Sequence, residues 1–276
     1  MSEEPQFAPV APVSGESPRS TFRPQAWSFR DLVFFIAFAV AALLLSDFVT
    51  LAAYAALRPL AGWRPTPVAV QKNTFFLLAA QLLFYVLILG YIYLLVVFHY
   101  RLRFWAGLNW RRLDRAHVLR YVLAGIAITV GVQLAPSVLP DKSHFPLERL
   151  FSSPDSSYAI AAFAVLVAPF MEEIVFRGVL FSVFETRIGL RTAIVVTAVL
   201  FAALHMPEYW GAWQHVLLIF LVGLAFSLAR GLTGSLTPSF VLHVTYNACL
   251  MIGLFFATSH FHQVQSAFLI GVVRRL

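Results

Sequence analysis

The sequence predicts an all-α, polytopic membrane helix bundle with seven or eight transmembrane helices. Three observations carry this. Of the 276 residues, 60% are hydrophobic and 12% charged, and mean hydropathy is +0.78, values unlike those of soluble globules. The apolar residues gather in long runs, several approaching the roughly 20 residues that a helix needs to cross a hydrocarbon core of about 30 Å. Arginine collects between the runs, as topology-setting charge does.

Residues 1–28 hold five Pro and mixed charge with no apolar period, so they read as a disordered tail. A secretory signal would place its apolar region nearer the start, which makes the first run a retained membrane anchor. That run covers Asp31 to Leu57 and contains Asp47. Run two covers Phe75 to Phe98, and run three Val118 to Leu134. Together they make 31–150 a block of N-terminal transmembrane helices. Run four covers Tyr158 to Phe184, and run five, Thr192 to His205, is shorter. Runs six (Trp213 to Ala229) and seven (Phe240 to Thr258) complete a helical core over 158–258. Residues 259–276 contain a last short run, Val264 to Val273, that spans with tilt or lies at the interface.

The loop between runs two and three holds Arg101, Arg103, Arg111, Arg112, Arg115 and Arg120 against Asp114 alone. It is therefore expected on the cytoplasmic side. Counting outward places Arg187, Arg191, Arg230, Arg274, Arg275 and the N-terminus on that side too. The expected location is the bacterial cytoplasmic membrane. The net charge of +7 is accounted for by topology and lipid headgroups, so nucleic acid is not expected as a partner. The single Cys249 excludes an intramolecular disulfide and any Cys-rich metal site. The chain ends Val-Arg-Arg-Leu, without a prenylation cysteine.

Run four carries the residues that most need a reason. Phe170 to Gly178 reads FMEEIVFRG. A charge at the bilayer centre costs about 2.5–3.5 kcal/mol on insertion scales. On a helix, Glu173 and Arg177 lie four apart on one face, acid before base, in the favourable order for an ion pair. Glu172 is turned about 100° away, so Arg177 can neutralise one carboxylate and leave the other free as a general base. Counted from Tyr158, Glu172 lies about 21 Å along the helix, in the cytoplasmic half of the core. His205 falls near the far end of run five, deeper than Glu172 by a turn or two unless that helix starts late or tilts.

Two further pairs share this spacing: Phe201 and His205 in run five, and His243 and Asn247 in run seven. Each pair shares a helix face, so three helices could converge on one polar pocket. Imidazole and carboxylate suit Zn²⁺ or a similar divalent ion, with Glu172, His205 and His243 as the candidate ligands. A bound ion would lower the pKa of its water, and a glutamate would take the proton. There is no H-E-x-x-H, which excludes the zincin arrangement. A lone histidine on an apolar helix ordinarily just hydrogen-bonds a neighbour. Four intramembrane ionisable groups that can meet are a functional candidate by default. Asp47 reads as interfacial or paired, and Glu208 and His215 as facing water.

Glu172-Glu173-x-x-x-Arg177, Phe201-x-x-x-His205 and His243-x-x-x-Asn247, in that order, resemble the three-motif signature of the CPBP (Abi) family. That group includes the type II CAAX prenyl endoproteases and bacteriocin-processing proteins. The likeness spans about Ala159 to Phe256. It implies an all-helical intramembrane metalloendopeptidase acting on membrane-associated peptides or prenylated proteins. By motif position, Glu172 would activate water and His205 would join the same centre. Glu173 and Arg177 would support the site, and His243 and Asn247 would bind metal or stabilise the oxyanion. Two rivals stay open: a non-catalytic scaffold or bacteriocin-immunity protein of the same fold, and an ion-coupled transporter. The transporter would call for internal repeats, and none is visible between the two halves.

Overall fold

The computed structural model describes residues 27–135 and 149–264. The expected disordered tail, apart from its last two residues, and the terminal run from residue 265 onward lie outside the described residues.

Seven long helices account for seven of the expected runs, and each begins or ends on a recognisable signal. α1 (Phe29–Ala61) starts at a capping box, in which Ser28 and Asp31 satisfy each other's backbone N–H, and stops at the left-handed Gly62. α2 (Thr74–His99) is capped by Asn73 and closes on a π-wound turn, Leu95–His99. α3 (Arg115–Leu134) is capped by Asp114. α4 (Pro154–Ile188) opens on a second capping box, Ser153 with Ser156, with Pro154 in the first turn. α5 (Leu190–Leu204) ends at His205, α6 (Trp213–Thr233) at the left-handed Gly234, and α7 (Leu236–Ala257) begins at Ser235. No strand occurs among the described residues.

Six of the seven are long and apolar enough to cross a membrane; α5 is the shorter apolar helix. At 1.5 Å per residue its 15 residues reach about 22 Å, while the 33 of α1 reach about 50 Å. The outward faces are apolar, with Phe34, Leu44, Phe48 and Val86 more than half exposed. Such a surface suits lipid and not water. Asp47 is exposed at the rim of a cleft between α1 and α2. His215 is half-buried, its ring stacked on Tyr209 at 5.5 Å.

α1 and α2 pair as a hairpin, and α2 touches the start of α4. α7 packs on α3, α4 and α6, and α5 fills the angle between α6 and the end of α4. Small residues let these helices close up. A Cβ on Gly125 of α3 would come within 2.8 Å of Thr245 on α7. The loop after α2 docks beneath α7, where Leu236 donates its N–H to the Asn109 carbonyl at 3.0 Å. α4 is thereby enclosed on several sides, and Glu173, Arg177 and Ser182 are buried within protein.

α4 is also irregular. Two π-wound stretches, Phe163–Val167 and Ile174–Leu180, bracket the regular turns between them. Such i→i+5 windings recur at functional sites, where they re-aim side chains and loosen backbone pairing.

Candidate active site

Glu172 and Glu173 end the regular turn Ala168–Glu173, and Arg177 sits in the π-wound stretch that follows. Glu173 and Arg177 are both fully buried, and Arg177 Nη1 donates to Glu173 Oε1 at 2.9 Å. His243 of α7 lies with Nδ1 at 3.0 Å from the same oxygen. Ser239, one helical turn before His243, donates its hydroxyl to Glu173 Oε2. Both oxygens of Glu173 are therefore occupied. A buried charge is tolerated when paired and hydrogen-bonded in this way.

The guanidinium of Arg177 is held from its other side as well. Nη2 donates to the Gly223 carbonyl on α6 at 2.9 Å. Its carbon lies 4.5 Å from the Phe201 ring centroid and 5.4 Å from that of Phe226, within cation–π range. Position 223 must be glycine for this approach. A Cβ there would meet Phe201 Cδ1 at 2.9 Å.

Glu172 takes no part in that network. Its side chain is 16% exposed, and its ion-pair contact is with His243 Nε2 at 3.7 Å. That is longer than a hydrogen bond and leaves the carboxylate free to bind another group. His243 thus stands between the two glutamates. Since a carboxylate only accepts, Nδ1 donates to Glu173, and Nε2 faces Glu172. The imidazole is stacked on Phe226 at 4.6 Å, which fixes its plane.

His205 follows the last residue of α5. Its Nδ1 donates to the Phe201 carbonyl at 2.8 Å. Its ring lies 4.7 Å from Phe201, and Phe201 lies 5.8 Å from His243. Phe201 therefore links the two histidines through ring contacts. Glu208, in the loop after α5, is exposed rather than sealed off. Desolvation by the surrounding chain pushes its carboxyl up, with Glu172 adding to that and His205 opposing it. Asn247 is committed elsewhere. Its Nδ2 donates to the Ala164 carbonyl at 2.7 Å, inside the first π-wound stretch of α4.

Four of the six predicted site residues, Glu172, Glu173, Arg177 and His243, are thus brought together; His205 meets them only through the Phe201 ring, and Asn247 ties α7 to α4. Sequence reasoning missed Ser239, which shares the helix face of His243 at the same four-residue spacing and was legible on that ground. It also missed the aromatic floor of Phe226 and the carbonyl of Gly223, which leave no comparable pattern.

Among the described residues, no three His, Cys, Asp or Glu side chains gather closely enough to hold a metal ion. Glu172 and His243 offer two facing donors, and the third expected ligand, His205, is reached only across Phe201. A catalytic zinc site uses three protein ligands and an open position. The donor set does not fit that pattern.

Residues 154–249 match the family model described as Rce1-like, type II CAAX prenyl endopeptidase Rce1-like. The match begins at the first residue of α4, ends within α7, and contains all seven motif residues. The match covers about a third of the chain, and α1, α2 and α3 lie outside it. No curated protein and no solved structure matches the chain. The helices and the family segment together make it an integral membrane protein.

Proposed function

We propose that the chain is an intramembrane endopeptidase that hydrolyses a peptide bond of a membrane-associated protein, with prenylated CAAX-type proteins as the substrate class. The observation that carries this reading is the division of labour between adjacent glutamates. Glu173 is saturated by Arg177, Ser239 and His243. Glu172 keeps a free, partly accessible carboxylate. A scaffold has no need of a second, unpaired intramembrane carboxylate, which is costly where it stands.

In this mechanism a water is held at the Glu172 carboxylate beside Nε2 of His243. Glu172 takes one proton as the water oxygen attacks the scissile carbonyl carbon. The carbonyl π electrons move onto oxygen and form the tetrahedral oxyanion. When that collapses, the C–N bond breaks and Glu172 returns its proton to the leaving amine. The Glu173–His243 contact holds the ring in one tautomer and orientation, as the third member of a triad does. The buried Arg177 keeps Glu173 charged and in place.

The test is cleavage of a fluorogenic prenylated peptide by the purified protein in liposomes, beside Glu172→Ala. Loss of cleavage in a folded Glu172→Ala is the expected result. Equal cleavage by both proteins would remove Glu172 from the mechanism.

A further inference from the structure

Arg230 was counted above among the cytoplasmic arginines that set topology. The structure places it differently. It lies in the last turn of α6 and is only 3% exposed. An arginine at a helix C-terminus ordinarily complements the helix dipole and snorkels toward headgroups. This one turns inward, and no carboxylate lies within ion-pair distance of it among the described residues. Its Nε donates to the backbone carbonyl of Arg177 at 3.1 Å, and its Nη2 reaches Ser182 Oγ at 3.5 Å. Its guanidinium carbon lies 5.0 Å from the Phe181 ring centroid. Glu185 is the opposite charge that acts on it, from beyond ion-pair distance; burying a cation so loosely compensated is costly, and its contacts have to offset that cost.

Two arginines consequently cross between the same pair of helices. Arg177 reaches from α4 to a backbone carbonyl of α6, at Gly223. Arg230 reaches from α6 back to the backbone carbonyl of Arg177 itself. The receiving carbonyl lies in the π-wound stretch Ile174–Leu180, where the ladder is irregular and an extra donor can be accommodated. This stretch begins directly after Glu173, so its winding sets the angle between the two glutamates and Arg177.

We infer that Arg230 is a positioning residue, which clasps the π-wound turn of α4 and so holds Glu172 and Glu173 at their working angle to His243. The inference rests on the hydrolase reading of the site.

The test compares wild-type protein, Arg230→Met and Arg230→Lys in detergent, by kcat and KM on the prenylated peptide and by amide exchange over residues 172–184. A hydrogen bond to a charged donor is lost in Arg230→Met, so kcat should fall about 10- to 100-fold, with KM within about twofold. Exchange over 172–184 should rise while that of α1 and α2 stays put. The lysine ammonium can still donate to the Arg177 carbonyl, so Arg230→Lys should recover most of both. Wild-type kcat and exchange in Arg230→Met would overturn the inference. So would an Arg230→Lys with wild-type exchange but the same kcat loss as Arg230→Met. Should Arg230→Met fail to fold, Arg230→Gln, which keeps an N–H donor, is read by the same criteria. A wild-type protein that cleaves nothing, yet shows the exchange increase in Arg230→Met, would sink the hydrolase reading and leave the clasp standing.

Discussion

Glutamine substitution at each of the two adjacent glutamates should separate stability from chemistry. In Glu173→Gln the fully buried Arg177 keeps its charge and loses its counter-ion at 2.9 Å. Breaking a buried pair by removing one partner costs about 3–5 kcal/mol. The amide oxygen can still accept from Arg177 or Ser239, so the lower end is expected, roughly 3 kcal/mol. For a chain of this size that corresponds to a fall in Tm of about 6–12 °C. In Glu172→Gln the lost charge is partly accessible and lies 3.7 Å from His243 Nε2. A contact longer than a hydrogen bond holds less than the doubly occupied Glu173 does, so Tm should fall by less than in Glu173→Gln. Cleavage should nevertheless vanish, because an amide cannot take a proton from water. The assay is thermal unfolding in one detergent, paired with cleavage of the prenylated peptide. Equal Tm losses in both variants would refute the idea that Glu172 is spare. A Glu173→Gln that melts with the wild type would refute the idea that the buried pair holds the site.

Other substitutions probe the surroundings. Gly223→Ala puts a methyl 2.9 Å from Phe201 Cδ1; overpacking of this kind costs about 1–3 kcal/mol. Cleavage should fall further than that stability loss alone accounts for, because Phe201 touches both Arg177 and His205; unchanged kcat would show that the ring's place is immaterial. Asn247→Ala leaves the Ala164 carbonyl without its 2.7 Å donor, which should destabilise the fold by about 1–3 kcal/mol; wild-type Tm would deny that tie. Exhaustive chelation, with metal content measured near zero, should leave cleavage within about twofold of its starting value. Loss of cleavage that zinc alone restores would instead make ligands of Glu172, His205 and His243. Asp114 caps α3 at the aqueous surface, and the His117 backbone N–H holds its carboxyl below the usual range. A depressed carboxyl stabilises the folded state above its ordinary value near about 4, and that contribution is lost as pH falls through the lowered folded value. Protection factors in the first turn of α3 should therefore drop in acid for the wild type but stay low at every pH in Asp114→Ala.

Much of the architecture was legible because lipid imposes one-dimensional rules. Each run is bounded where charge or a capping residue appears, and the helices begin or end within a few residues of the expected limits. Asn73, Asp114, Ser153 and Ser235 are caps in plain sight. The winding of α4 was not legible. Nothing in Ala-Val-Leu-Val or Ile-Val-Phe-Arg distinguishes an i→i+5 turn from an i→i+4 one, since both bury the same apolar residues. The four-residue spacing of Glu173 and Arg177 nevertheless gave the right pair, because a side chain as long as arginine tolerates the altered turn.

The site's side chains were legible in the same partial way. Glu173 finding Arg177 follows from one helix and its spacing, and His243 meeting both glutamates follows from two polar faces that must be buried together. What sequence hides is the use of backbone as a partner. Arg177 is anchored on the Gly223 carbonyl, Asn247 on that of Ala164, and Arg230 on that of Arg177; every residue has a carbonyl, so none of these leaves a pattern. The burial of Arg230 leaves no sign in the sequence for this reason. Taken alone, an arginine at the cytoplasmic end of an apolar helix is a topology signal, and the positive-inside rule is silent about which way its side chain turns. A buried arginine that grips a main-chain carbonyl is recognised only when the neighbouring helix is in place. The candidate site therefore has two separable layers. One is a set of titratable side chains that motif spacing can find. The other is a set of main-chain contacts, drawn to the irregular turns of α4, that hold those side chains at their angles.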